Sequence, residues 1–162
     1  MPDMLVKLYD LPDASARERA LKDAGIAIKR VMTPDYGKVF RFIQANFSEG
    51  WAYEACSAIA RVPGGLFAAV RECDGGGRGG EILGFAAYDA TARGFFGPTG
   101  VLETERHAGI GTVLLLRCLR AMREDGYGYA IIGSAGPVDY YRKVCGATVI
   151  EGSSPGIYSD LI

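Results

Sequence analysis

The sequence predicts a single domain of mixed α/β structure. Short apolar segments with the period of a strand alternate along the chain with segments that have the period of a helix. The length of 162 residues suits one domain with a sizeable core. Near the middle of the second half, glycines at 109 and 111 open a helix directly behind a predicted strand. Such a junction is typical of sites that hold an anion at a helix N-terminus.

The periodicity places eight strands and five helices. Strands are predicted at residues 4–9, 26–32, 66–71, 82–88, 95–103, 127–133, 147–150 and 156–161. Helices are predicted at residues 13–22, 33–47, 51–61, 109–125 and 137–143.

Local signals mark the first boundaries. In residues 1–25 an alternating strand leads into a helix that Gly25 ends. This unit is interpreted either as an additional layer on the sheet or as a dimer contact. The next helix starts at Thr33-Pro34, where the hydroxyl can cap and proline suits the first helical position. Pro63-Gly64-Gly65 ends the third helix.

The second half has its own signals. Residues 74–80 are nearly all glycine and no helix follows, which indicates a mobile hairpin connection rather than a phosphate loop. Gly97-Pro98 and Gly100 within a strand mark an edge, a bulge or the close approach of a ligand. The long helix carries a row of arginines opposite its apolar face, at 117, 120 and 123. This row is either a solvated face or a basic patch for a phosphate or a partner.

Composition excludes several classes of protein. The formal charge of −1 gives no broad attraction for nucleic acid or an anionic membrane. No apolar run approaches the roughly 20 residues that span a bilayer. Residues 1–3 lack the features of a signal peptide, and four scattered cysteines read as reduced thiols, so a cytoplasmic protein is expected. A single histidine, His107, argues against a histidine metal site or a catalytic triad.

The segment Arg106-x-x-Gly109-x-Gly111-Thr112 can bind an anion. The first N–H groups of a helix lack internal partners and lie at the positive end of its dipole, and glycine lets a ligand come close. A phosphate or pyrophosphate is the expected ligand. The dinucleotide fingerprint does not fit, because its third glycine falls at Leu114, and no Gly-Lys-Ser/Thr follows as in a P-loop. A tight turn without a ligand is the alternative.

The order of these features resembles the GNAT superfamily of acyl-CoA-dependent N-acetyltransferases. A strand ending at Val101-Leu102, the Arg-x-x-Gly-x-Gly segment, a further strand, and Tyr140-Tyr141-Arg142-Lys143 before Gly146 carry the resemblance. It covers residues 26–162, with the motifs in 99–147. It implies one domain over 1–162, with 1–25 as an extension and 26–162 as the acetyltransferase core.

The resemblance implies a central, mostly antiparallel sheet flanked by helices, with a V-shaped opening between the strands at Val101 and Ile131. It implies acetyl-CoA as cofactor, a primary amine of a small molecule or peptide as acceptor, and direct attack without a metal or an acyl-enzyme. A homodimer is expected by analogy. The residues expected to hold the pyrophosphate are Arg106, His107, Ala108, Gly109, Ile110, Gly111 and Thr112.

Other roles are carried over in the same way. The backbone N–H of Val101 or Leu102 is expected to polarise the thioester carbonyl. Ser134 stands where many members have asparagine and is expected to make a polar contact, and Arg142 is expected near the adenine or its phosphate. Tyr141 is expected to protonate the leaving thiolate, with Tyr140 as its partner in the core.

The base and the acceptor wall are less defined by the resemblance. Glu103 is the first candidate for the base, and the other candidate carboxylates are Asp89, Glu49 and Glu54. The acceptor wall is expected to include Glu49, Trp51, Tyr88 and Phe96.

Two rival interpretations come from other classes. The first is a non-catalytic acyl-CoA sensor or regulatory module, which keeps residues 106–112 but has no working Tyr141. The second is an unrelated nucleotide-binding module. The sequence does not identify the acceptor amine.

Overall fold

A computed structural model describes residues 1–73 and 79–162. The seven strands are β1 (Met4–Lys7), β2 (Ile26–Arg30), β3 (Leu66–Arg71), β4 (Glu81–Tyr88), β5 (Phe95–Val101), β6 (Tyr129–Ile132) and β7 (Thr148–Val149). They form one sheet in the order β2-β3-β4-β5-β6-β1-β7. All pairs are antiparallel except β5 and β6.

Helices cover both faces of this sheet. They are α1 (Ser15–Asp23), α2 (Tyr36–Asn46), α3 (Glu49–Ser57), α4 (Ile110–Glu124) and α5 (Val138–Cys145). One apolar cluster contains the buried side chains of α1, α4 and α5, and a second contains those of α2 and α3. Strand β4 serves both, because successive side chains point to opposite faces: Leu83 joins the first cluster and Ile82 the second.

The parallel pair β5 and β6 is short, and this creates the opening. Only Phe95 with Ile131 and Phe96 with Ile132 are paired. Beyond Phe96 the two strands separate, and we call the end of their pairing the apex. The V-shaped opening therefore lies between the rest of β5 and the segment that follows β6.

The first strand is an internal strand of the sheet. It pairs with β6 through Met4 and Ile132 and with β7 through Leu5 and Thr148. The expectation that this strand adds a layer is wrong, because it lies within the sheet. Its Met4 and Val6 side chains are fully buried in the cluster on the face that α4 covers. Only helix α1 of the first unit lies as a layer on the sheet, against β2 and α4.

Some predicted boundaries need correction. Residues 156–161 are not a strand: Gly156–Asp160 form a 3₁₀ turn, in which Ser159 Oγ donates to the carbonyl of Gly156 over 2.9 Å. Helix α3 begins at Glu49, two residues before its predicted start at residue 51. Ser48 caps it there by accepting a hydrogen bond from the amide of Trp51. Within the predicted connection 74–80, residues 74–78 lie outside the described part of the chain. No helix of the described residues is long and apolar enough to cross a bilayer.

Candidate functional site

The junction between β5 and α4 presents unpaired amides. A 3₁₀ turn at Glu103–Glu105 leads to Gly109, whose φ of +79° is a left-handed conformation suited to glycine. Within residues 1–73 and 79–162, the amides of residues 109–112 donate to no carbonyl, and the first helical bond runs from Val113 N to Gly109 O. Ile110 is fully buried and fixes the helix start. Four donors at the positive end of a 15-residue helix are therefore available for an anion.

The edge of β5 that faces the opening also offers donors. The amide of Leu102 donates to the carbonyl of Leu83 over 2.9 Å, so the expectation that it is unpaired is wrong. In an antiparallel pair, residues whose amides bond the partner alternate with residues whose amides point away. Val101 and Thr99 hold the alternate positions, opposite Gly84 and Ala86. Their amides are directed toward the opening.

Tyr141 lies under the apex. The residue is 7% exposed, and its ring packs edge-on against Phe96 with 6.5 Å between centroids. Its hydroxyl makes no hydrogen bond to another described residue. Because every buried side-chain oxygen of the described residues has a partner, the Tyr141 oxygen must reach the surface. Burial raises the pKa of Tyr141 to about 12, which keeps the phenol protonated and able to donate.

Tyr140 packs against the edge of the core, beside Tyr141. Its side chain is only partly buried, and its hydroxyl lies 3.2 Å from the hydroxyl of Thr112 in the first turn of α4. A Cβ atom on Gly111 would lie 3.8 Å from the Tyr140 hydroxyl. Tyr141 lies deeper in the same core, so both tyrosines border the opening at different depths.

The charged candidates are exposed and form local ion pairs. Glu103 is 85% exposed and pairs with Arg106 at 3.4 Å, and it follows the end of β5 rather than lying at the apex. Arg142 is exposed and pairs with Asp139 at 2.6 Å. His107 and Ala108 are exposed in the turn before α4.

Ser134 contributes its backbone to a structural contact. Its φ of +47° is unusual for a residue with a side chain, and its amide donates to Oδ1 of Asp3 over 2.8 Å. Asp3 is 6% exposed, and its own amide donates to Ser153 Oγ. Asp3 therefore fixes the segment that borders the opening. No local pattern in the sequence points to Asp3, since it lies 131 positions from Ser134.

Two residues expected in the acceptor wall, Glu49 and Trp51, lie on α3. The ring of Trp51 is 41% exposed and lies 6.1 Å from that of Phe47, which abuts Gly100 of β5. Glu49 is exposed at the start of the same helix.

Tyr88 and Phe96 do not belong to this wall. They are 0% and 2% exposed and belong to the α4 cluster, on the opposite face of the sheet. The Tyr88 hydroxyl donates to Asp125 over 2.9 Å. Their assignment to the acceptor wall is wrong, because aromatic character alone does not tell which face of a strand a residue occupies.

No protein-family model and no curated protein matches this chain. Solved structures do match. The GCN5-related glucosamine N-acetyltransferase region of a fungal multi-domain GH3 β-N-acetylglucosaminidase superposes with a TM-score of 0.72 at 14% identity, covering 92% of this chain and 19% of that one. A GCN5-related N-acetyltransferase from Sphaerobacter thermophilus gives 0.68 at 22% identity, covering 92% and 48%.

A GNAT family acetyltransferase from Brucella melitensis, solved in complex with acetyl-CoA, gives a TM-score of 0.53 at 20% identity, covering 77% of this chain and 86% of that one. This chain spans about a fifth of the fungal chain and about half of the Sphaerobacter chain. The mixed sheet flanked by helices is shared with these structures, so the predicted fold class is confirmed.

Proposed function

We propose that this chain, which has the fold of the GCN5-related N-acetyltransferases, transfers the acetyl group of acetyl-CoA to a primary amine by direct attack. The observation that carries the proposal is the continuity of the unpaired amides of residues 109–112 with the opening between β5 and β6. An anion site and an unfilled gap between parallel strands together suit a ligand that has a diphosphate and an extended amide-bearing arm. The acetyl-CoA bound by the Brucella neighbour supports this choice of ligand.

In the proposed complex the diphosphate binds the amides of residues 109–112, with Arg106 beside them. The pantetheine arm enters the opening and bonds the amide of Val101 as an added strand would. The thioester then lies toward the apex, where the amide of Thr99 is the next donor along the edge of β5 and can polarise the carbonyl. Glu103 has no role at the reacting atoms in this arrangement.

Tyr141 is the proposed proton donor to the leaving thiolate. It lies under the apex on the α4 face, and its raised pKa means that it is a neutral phenol across the physiological range. Cys118 is buried in the same cluster, and burial raises the pKa of its thiol, which supports direct attack rather than a cysteine acyl-enzyme.

Calorimetry with acetyl-CoA, ATP and NAD tests the cofactor. We expect acetyl-CoA to bind and the other two to bind more weakly, because only acetyl-CoA combines the diphosphate with a strand-like arm. Tight binding of ATP or NAD without binding of CoA would replace the proposal with a different nucleotide-binding module.

Thiol release from acetyl-CoA tests the reaction across an amine panel of polyamines, amino acids, aminosugars, aminoglycosides and peptide N-termini. We expect at least one class to accelerate release. Binding of acetyl-CoA without turnover of any amine would instead indicate an acyl-CoA sensor.

A further inference from the structure

Three polar side chains from separate elements lie on the α2–α3 face near the apex, apart from the groups assigned above. Glu54 comes from α3, Thr91 from the turn between β4 and β5, and Tyr158 from the 3₁₀ turn near the C-terminus. The Thr91 hydroxyl donates a hydrogen bond to the Glu54 carboxylate. Together they form a polar cluster beside the proposed thioester.

Tyr158 places this cluster at the apex. Its hydroxyl touches Gly133, the residue directly after the last paired residue of β6, and a Cβ atom there would collide with it. The ring of Phe95 lies 3.0 Å from the same Cβ position. Gly133 is therefore required by the approach of the Tyr158 hydroxyl and the Phe95 ring.

The apex has one phenol on each face. Phe95 and Phe96 are successive residues of β5, so their side chains point to opposite faces. Tyr141 packs against Phe96 on the α4 face, and Tyr158 lies against Phe95 on the α2–α3 face. A thioester at the apex would lie between the two hydroxyls.

The surroundings of Tyr158 suit a neutral hydroxyl that passes protons. Burial and the charges of Glu54 and Asp3 raise its pKa, so it stays protonated at neutral pH. Because Thr91 gives its proton to Glu54, its oxygen keeps a lone pair that can accept a bond from Tyr158. The oxygen of Tyr158 can in turn accept from an incoming ammonium.

We propose that Tyr158 and Thr91 carry a proton from the acceptor ammonium to Glu54, an inference that rests on the proposed acetyl transfer. The ammonium gives one proton to Tyr158 as Tyr158 gives its own to Thr91 and Thr91 gives its own to Glu54. The nitrogen lone pair then forms the C–N bond. The C–S bond breaks toward sulfur, which takes the proton of Tyr141, and the second N–H proton returns through solvent to Tyr141. Glu54 releases its proton to water.

The same face selects a class of acceptor. Trp51 and Glu54 are three residues apart on α3 and therefore share a side of the helix. An exposed indole beside a carboxylate suits a cationic group, through cation–π and ionic attraction. The acceptor is thus a primary amine that arrives as an ammonium and must lose a proton before it attacks.

Two amines separate proton removal from other effects of substitution. One is the member of the panel above that the wild type acetylates fastest, and the other is hydroxylamine, which is already neutral at neutral pH. We expect Glu54→Gln to lower kcat/KM about 10²-fold for the ammonium substrate, the scale of general-base catalysis, and only a few-fold for hydroxylamine. Tyr158→Phe should show the same selectivity, and Glu54→Asp should restore part of the activity.

Glu124→Gln is the control, since Glu124 is an exposed carboxylate at the last residue of α4 and has no part in the relay. It should leave both rates unchanged. Calorimetry should give wild-type affinity for acetyl-CoA in every variant, which shows that the fold is intact. Equal losses with both amines, or no loss in Glu54→Gln, would overturn the relay. A wild type that binds acetyl-CoA but acetylates no amine would overturn the proposed function, and the relay with it.

Discussion

The two adjacent tyrosines of α5 illustrate how position decides a residue's chemistry. Tyr140 and Tyr141 lie edge to face with 5.2 Å between ring centroids, yet their hydroxyls have different neighbours. That of Tyr140 meets Thr112 near the expected diphosphate, whereas that of Tyr141 has no partner among the described side chains. A phenol with an unbonded, surface-reaching oxygen is the better proton donor to a ligand.

We expect Tyr141→Phe to lower kcat about 10²-fold with little change in acetyl-CoA affinity, because only the proton donor is lost. Tyr140→Phe is the paired control and should retain most of kcat, since it removes a contact near the diphosphate rather than at sulfur. Thiol-release kinetics measure both. If Tyr140→Phe is the more damaging change, the proton donor is Tyr140.

At the scale of elements, the start of α4 depends on one backbone conformation. Gly109 turns the chain through a left-handed φ just before the helix, and this aims the four free amides outward. Side chains in residues 106–108 are exposed and contribute less to that geometry than the backbone does.

Gly109→Ala tests this element. An alanine in the left-handed region costs about 1–2 kcal/mol, and we expect the turn to relax and the dissociation constant for CoA to rise about tenfold. Gly128→Ala is the matched control, because a Cβ at Gly128 has no neighbour within 4 Å and its φ is not positive. Calorimetry with CoA and urea unfolding give the two readouts. Unchanged CoA affinity in a destabilised Gly109→Ala protein would separate the turn from the ligand site.

On the scale of the whole molecule, the sheet separates two apolar cores, one on each of its faces. The opening lies within the sheet, where β5 and β6 cease to pair. The chain's first strand lies in this sheet between β6 and β7. Asp3, directly before that strand, accepts a hydrogen bond from the amide of Ser134 beside the opening. The proposed site therefore depends on residues from both halves of the chain.

Both cores contain groups that must stay neutral. Burial raises the pKa of Cys56 in one core and of Cys145 in the other to about 11, and that of Tyr141 to about 12. In the unfolded chain thiols ionise near pH ~8.5 and phenols near ~10. Stability is therefore fully present below the unfolded values and falls as pH rises from about 8.5 toward 12.

Urea unfolding at pH 8, 9, 10 and 11 under reducing conditions should show a steadily lower free energy of unfolding. We expect Cys56→Ala to lessen this slope, because its ionisable group is gone, while Cys73→Ala leaves it unchanged, since Cys73 is exposed. A pH-independent free energy of unfolding would contradict the assignment of these buried groups.

Interactions between neighbouring residues account for the local features of this protein. The Gly-x-Gly junction at 109–111 and the apolar periods of most helices and strands are written in neighbouring residues, which interact within a turn or two. These were enough to predict the class of fold and the segment whose amides are unpaired. The expected cap at Thr33 is wrong, because a 3₁₀ turn over Thr33–Asp35 precedes α2 and no side chain caps either element.

Packing between distant segments fixes which residues meet across the chain. It placed the first strand inside the sheet, committed the amide of Leu102 to Leu83, and turned Tyr88 and Phe96 toward the core. It also joined Thr91 to Glu54 and placed the Tyr158 hydroxyl against Gly133 at the apex. Strand order and the facing of side chains follow from packing between distant segments, and periodicity carries no information about which distant segment a strand will pair with.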